Sequence, residues 1–200
     1  MAIHWSSRRS ADPTTWWIAV LFAIGSACFL VGPFPGYVQL VGSAADGITF
    51  FVGSLFFTSA ALLQARQAGE ADRLSTLIQF AGTVFFNVST YRAMQTSIDT
   101  ADVNRLVWAP EVAGSICFLV SGLLAYVAIR GSAHARARDE EWRIAAVNLA
   151  GCVLFGISAI AGFVVPETGD VLDLAAANWT TSLGALCFLI GSLLLLPSRR

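Results

Sequence analysis

Six apolar runs, each about as long as a membrane-spanning helix, constrain this chain more than any other feature of its sequence. A hydrocarbon core of about 30 Å takes roughly 20 helical residues to cross. The runs cover approximately residues 15–32, 47–64, 74–91, 108–129, 144–165 and 178–196. Backbone groups in lipid must be hydrogen-bonded within their own segment, so the runs predict helices. The predicted fold class is all-α, a six-helix transmembrane bundle.

The composition agrees with a membrane location. Hydrophobic residues make up 56% of the 200 residues and charged residues only 12%, which leaves too little polar surface for a water-soluble globule. No linker-like stretch divides the chain, so residues 1–200 are predicted to form a single integral membrane domain. The net charge of -1 and the lack of a long basic run predict no nucleic-acid partner. The lipid bilayer is the first expected partner.

The placement of the arginines predicts the orientation. Short cytoplasmic loops are enriched in basic residues. If the N-terminus is cytoplasmic, every arginine except Arg92 and Arg105 lies on the cytoplasmic side, including Arg8, Arg9 and Arg200. We therefore expect a multi-pass protein of the cell inner membrane with both termini in the cytoplasm.

Each run contains one copy of a short motif: a glycine, a phenylalanine four residues later and a small residue three after that. The pairs are Gly25 and Phe29, Gly53 and Phe57, Gly82 and Phe86, Gly114 and Phe118, Gly151 and Phe155, and Gly184 and Phe188. These positions share one helical face, where small residues permit close helix approach in lipid. The motif predicts helix packing in three tandem helical hairpins. The alternative is a lining of phenyl rings around a lipid or quinone pocket.

Two stretches also resemble a known family. Residues 47–57 read Gly-Ile-Thr-Phe-Phe-Val-Gly-Ser-Leu-Phe-Phe, and residues 183–194 contain Phe-Leu-Ile-Gly-Ser. Both resemble the YrhK-like family of small bacterial membrane proteins, whose unit is a pair of helices. The resemblance implies three such units in tandem here and assigns no catalytic residues.

Few polar residues fall at membrane depth, where they are costly and become functional candidates. Asn87 and Asn148 are the deepest amides, either hydrogen-bonded between helices or part of a polar pathway. Arg92 lies near the outer boundary, where Asp46 or Glu111 is a candidate ion-pair partner. A snorkelling arginine and an anion or headgroup site are the other interpretations.

The sequence predicts no enzyme. No nucleophile motif, phosphate loop or metal-ligand spacing occurs, and the four cysteines are predicted to pack as small apolar residues, so no catalytic, cofactor-binding or metal-binding residue is expected. The predicted role is a structural or accessory subunit of a membrane complex. Its partner would be another membrane protein or a second copy of the chain. The alternative is a passive channel or carrier for a small or lipid-like solute.

Overall fold

The structure, a computed structural model, describes residues 12–95, 98–130 and 135–196. These residues are almost entirely helical, which confirms the all-α prediction. The elements are α1 (Pro13–Val31), α2 (Pro35–Val41), α3 (Ser43–Gln67), α4 (Glu70–Ala93), α5 (Thr100–Val103), a π-helical turn (Asn104–Trp108), α6 (Ala109–Arg130), α7 (Ala135–Ala161) and α8 (Leu174–Leu194). Four of the arginines that predict the orientation, Arg8, Arg9, Arg199 and Arg200, lie outside the described residues.

Five helical stretches of the described chain are long and apolar enough to cross a membrane. They are Pro13–Val31, Ser43–Gln67, Ala101–Ile129, Glu141–Ala161 and Leu174–Leu194. The third predicted span, residues 74–91, lies within α4, which is 24 residues long but is not among the five. The physical reason is the polarity of α4, which carries charged residues in its first turn and the amides Gln79 and Asn87 along its length.

The six long helices contact one another in chain order and form a closed circuit. Helix α1 packs on α3, α3 on α4, α4 on α6, α6 on α7, and α7 on α8; α8 then returns to α1. At the closing contact, the Ser182 hydroxyl donates a hydrogen bond of 3.2 Å to the Leu30 carbonyl oxygen. We call the end at which α1 begins and α3 ends the inner end, and the opposite end the outer end.

The outward faces of these helices are apolar. Large hydrophobic side chains are exposed on every long helix, such as Ile24, Leu55, Leu77, Ile116, Ile160 and Leu193. An exposed apolar belt of this extent marks contact with lipid or with another protein rather than with water. The helices therefore have the exterior of a membrane protein.

Helix α7 ends earlier than predicted. The sequence predicts a helix over residues 144–165, but α7 stops at Ala161, and Val164 pairs instead with Val171 in an isolated antiparallel β-bridge. Val165 precedes Pro166, a position that disfavours helical backbone, and β-branched valine favours extended structure. The predicted end at residue 165 is therefore wrong.

The loop between α7 and α8 is fixed to the π-helical turn at the outer end. The Asn104 side chain donates to the Val164 carbonyl oxygen at 2.6 Å and accepts from the Val164 N–H at 3.0 Å. The Trp108 indole N–H donates to the Ala159 carbonyl oxygen at 2.7 Å. These bonds satisfy backbone groups where α7 ends, so the outer loop has a defined position against α6.

Candidate functional site

The motif glycines meet one another in three helix pairs. A methyl group added at Gly25 of α1 would lie 2.9 Å from the Gly53 carbonyl oxygen of α3. One added at Gly114 of α6 would lie 3.0 Å from the Gly82 carbonyl oxygen of α4, and one at Gly151 of α7 would lie 3.0 Å from that of Gly184 of α8. These positions leave no room for a side chain, so the backbones of α1 and α3, α4 and α6, and α7 and α8 approach as closely as glycine allows.

Each motif phenylalanine covers the glycine of the partner helix. The Phe57 ring lies 2.9 Å from the methyl position of Gly25, and the Phe29 ring lies 3.1 Å from that of Gly53. The other two pairs repeat this exchange: Phe118 on Gly82, Phe86 on Gly114, Phe188 on Gly151 and Phe155 on Gly184. The space that each glycine leaves is thus filled by a phenyl ring.

The six motif rings meet on the axis of the bundle and are all buried. Phe29, Phe86 and Phe155 form a triangle with ring centroids 5.7 to 6.3 Å apart. On the inner side of this triangle, the Phe188 centroid lies 6.0 Å from that of Phe57 and 5.8 Å from that of Phe118. We call these six side chains the phenyl cluster. It packs ring against ring in the middle of the bundle.

A small cavity with a mostly apolar wall and a few polar side chains lies on the inner side of the phenyl cluster. Its volume is about 20 Å³, close to the space of one water molecule. Rings of the cluster and Phe22 form part of its wall, and its polar lining comprises Gln79, Ser121, Asn148 and Ser192. We call it the inner cavity.

Asn148, a predicted candidate, lies in this wall and is 6% exposed. Its Nδ2 donates to the Ile144 carbonyl oxygen at 2.8 Å. A methyl group added at Gly191 would lie 2.8 Å from Nδ2 and 2.9 Å from Oδ1, so glycine at 191 makes room for the amide. Asn148 therefore bonds within its own helix, and its side chain packs against α8.

Asn87 lies elsewhere, between α3 and α4. Its Oδ1 accepts a hydrogen bond of 3.1 Å from the Thr58 hydroxyl, and the nearby hydroxyls of Ser54 and Thr90 are 3.0 Å apart. These bonds join two neighbouring helices, as expected if Asn87 serves to link helices by hydrogen bonding. The structure does not bring Asn87 and Asn148 together.

The candidate ion pair between Arg92 and Asp46 or Glu111 is not seen in the described residues. Arg92 donates to Gln95 Oε1 at 3.1 Å, and within the described residues it makes no ion pair with Asp46 or Glu111. The ion pair that the described residues do show joins Arg105 and Asp102 at 3.9 Å, on the exposed surface. Asp46 instead has a buried Oδ1 without a hydrogen bond.

Two glutamines toward the inner end were not among the candidate site residues, although Gln79 lies at membrane depth in the same helix as Asn87. Gln64 is 1% exposed, and neither amide atom has a hydrogen-bond partner; the Oε1 of Gln79, in the wall of the inner cavity, also has none. The sequence did contain a pattern that points to Gln79. It precedes the motif glycine of its helix by three residues, as Asn148 and Phe22 do, and all three line the same cavity.

The comparisons with known proteins add no assignment. No protein-family model matches the chain, and neither a curated protein nor a solved structure does. Among the described residues, no group of three or more metal-ligating side chains comes together. The inner cavity and the phenyl cluster are therefore interpreted from their own geometry.

We expect Gly151→Ala to lower the stability of the protein by about 1–3 kcal/mol, because the new methyl group would lie 2.8 Å from the Phe188 ring. Helix propensity alone would make the alanine variant more stable by about 0.5–1 kcal/mol. A loss of stability would therefore be due to the close contact with the ring. Gly36→Ala is the matched control, since nothing lies within 4 Å of that methyl position. Thermal unfolding in detergent measures both, and equal effects would contradict the close contact.

We expect Gln64→Leu to raise the melting temperature, because it removes a buried amide that costs about 1–3 kcal/mol when unbonded. Gln67→Leu is the matched change three residues on. Gln67 also has a buried Oε1 without a partner, but its Nε2 donates to Asp12 Oδ2 at 2.6 Å and to the Thr15 hydroxyl at 3.3 Å. Loss of these two bonds should lower the melting temperature. A decrease for Gln64→Leu would show that its amide has a bonding partner.

Proposed function

We propose that the chain is a six-span membrane protein built from three repeated helical hairpins around a pseudo-threefold axis. The three glycine contacts support this arrangement, because each joins successive long helices in the same way. The inner cavity supports it too. Phe22, Gln79 and Asn148 occupy the same motif position in α1, α4 and α7, and they line one cavity from three sides.

Helix α4 has the properties of the sixth span despite its polarity. At 24 residues it is about 36 Å long, enough to cross a hydrocarbon core of about 30 Å. Its polar side chains lie inside the circuit, with Gln79 in the cavity wall and Asn87 bonded to α3. Its exposed positions include Leu74, Leu77, Val84, Phe85 and Val88. A helix with polar residues inward and apolar residues outward suits a span in a bundle.

The proposed orientation in the bacterial inner membrane places the inner end in the cytoplasm. Fluorescent-protein fusions mature in the cytoplasm, whereas alkaline phosphatase becomes active only outside it. A fluorescent protein at the C-terminus should therefore be bright. Alkaline phosphatase inserted after the exposed Glu167, in the outer loop, should be active. The reverse pattern at both positions would invert the topology.

We propose a structural or accessory role within a membrane complex. The main support is the phenyl cluster, which occupies the axis where a solute route would have to run. The polar candidates do not converge on such a route, because Asn87 is bonded between α3 and α4 and Arg92 is bonded to Gln95. The apolar outward faces then provide the surface for a membrane-protein partner or a second copy. We also propose kinship with the YrhK-like family, on the resemblance of residues 47–57 and 183–194; this resemblance assigns no role.

The alternative, a passive channel or carrier, is tested in proteoliposomes. Vesicles with the purified protein should take up glycerol no faster than protein-free vesicles, because six contacting rings close the axis. The protein should also purify from its native membrane in gentle detergent with a stoichiometric protein partner or as a defined oligomer. Faster glycerol entry would favour the channel, and a monodisperse monomer without partners would contradict the accessory role.

A further inference from the structure

The inner cavity differs from the space on the other side of the phenyl cluster. The outer space, about 10 Å³, is lined by phenyl rings with Ser54 and Thr83. The hydroxyls of both residues already bond to carbonyl oxygens of their own helix, at 2.7 Å each. In the inner cavity, by contrast, the Oε1 of Gln79 has no hydrogen bond.

Side chains around the inner cavity have oxygen atoms that can accept further hydrogen bonds. Asn148 uses Nδ2 to donate to Ile144, and the Ser192 hydroxyl donates to the Phe188 carbonyl oxygen at 2.7 Å. Both side-chain oxygens keep lone pairs, and Gln79 Oε1 adds a further unused acceptor. Buried acceptors of this kind are bonded in most proteins, so the cavity calls for a guest that donates.

The size of the cavity limits that guest to about one water molecule. Phenyl rings of Phe57, Phe118 and Phe188 form part of the wall, and aromatic faces attract small cations. Water and ammonium share the required chemistry, since each is small and donates at least two hydrogen bonds. A larger cation such as tetramethylammonium has no N–H to donate and exceeds this volume.

We propose that the inner cavity is a binding site for one small hydrogen-bond donor, water or an ammonium ion, held by Gln79, Asn148 and Ser192. The guest bridges α4, α7 and α8 through bonds that the chain itself does not supply. It thereby links the hairpin of α4 and α6 to the hairpin of α7 and α8 at one point. This site is independent of any partner protein, so it stands or falls separately from the proposed accessory role.

Crystals of the unaltered protein grown from lipidic mesophase in sodium chloride test occupancy directly. A peak within hydrogen-bond distance of Gln79 and Asn148 is expected. Melting temperatures in ammonium, sodium and tetramethylammonium chloride then identify the guest. A rise of about 2–4 °C in ammonium alone assigns the ion. An unchanged melting temperature together with the peak assigns water.

Gln79→Leu should abolish the peak and any response to ammonium. Asn87→Leu is the matched control on the same helix, outside the cavity, and should keep both. A featureless cavity in the unaltered protein, with no response to ammonium, would overturn the proposal. If Gln79→Leu does not fold, Ser192→Ala takes its place and the map of the unaltered protein still decides occupancy.

Discussion

The close backbone approach at the motif glycines is the contact on which the rest of the bundle depends. In lipid there is no hydrophobic drive between apolar helices, so dispersion contacts over short distances must hold them together. Glycine at 25, 53, 82, 114, 151 and 184 brings partner backbones near enough for each phenylalanine to reach across. The rings then meet on the axis, where pairs add about 0.5–1.5 kcal/mol each beyond their burial.

The close packing on the axis also explains where polar groups are found. Rings fill the middle, so amides and hydroxyls occupy the seams between neighbouring helices or the two ends of the bundle. Asn87 and Thr58 bond along the seam of α3 and α4, while Gln64 and Gln79 lie toward the inner end. Helix α4 contributes Gln79 and Asn87, and it packs against both α3 and α6. A polar helix is thereby accommodated inside an apolar circuit.

The sequence predicted the helices and the helical face that carries the motif, but not which helix that face contacts. The i, i+4 and i+7 spacing places Gly151 and Phe155 on one face, and it says nothing about which helix that face meets. Boundaries were missed where local chemistry overrides hydropathy, as at Val165 before Pro166 and in the short helix α2. The candidate ion pair of Arg92 with Asp46 or Glu111 is absent from the described residues, because nearness to the same membrane boundary does not bring side chains to the same side of a bundle.

The residues that line the inner cavity differ between helices, although they occupy the same position of the repeated motif. The position three residues before the motif glycine is phenylalanine in α1, glutamine in α4 and asparagine in α7. Three phenylalanines there would extend the phenyl cluster inward and close the cavity with apolar contacts alone. The amide of Gln79 introduces an acceptor, Oε1, that no side chain satisfies, at a cost comparable to a lost hydrogen bond. Such a cost at a position where the framework readily accepts phenyl is best explained by a bound guest.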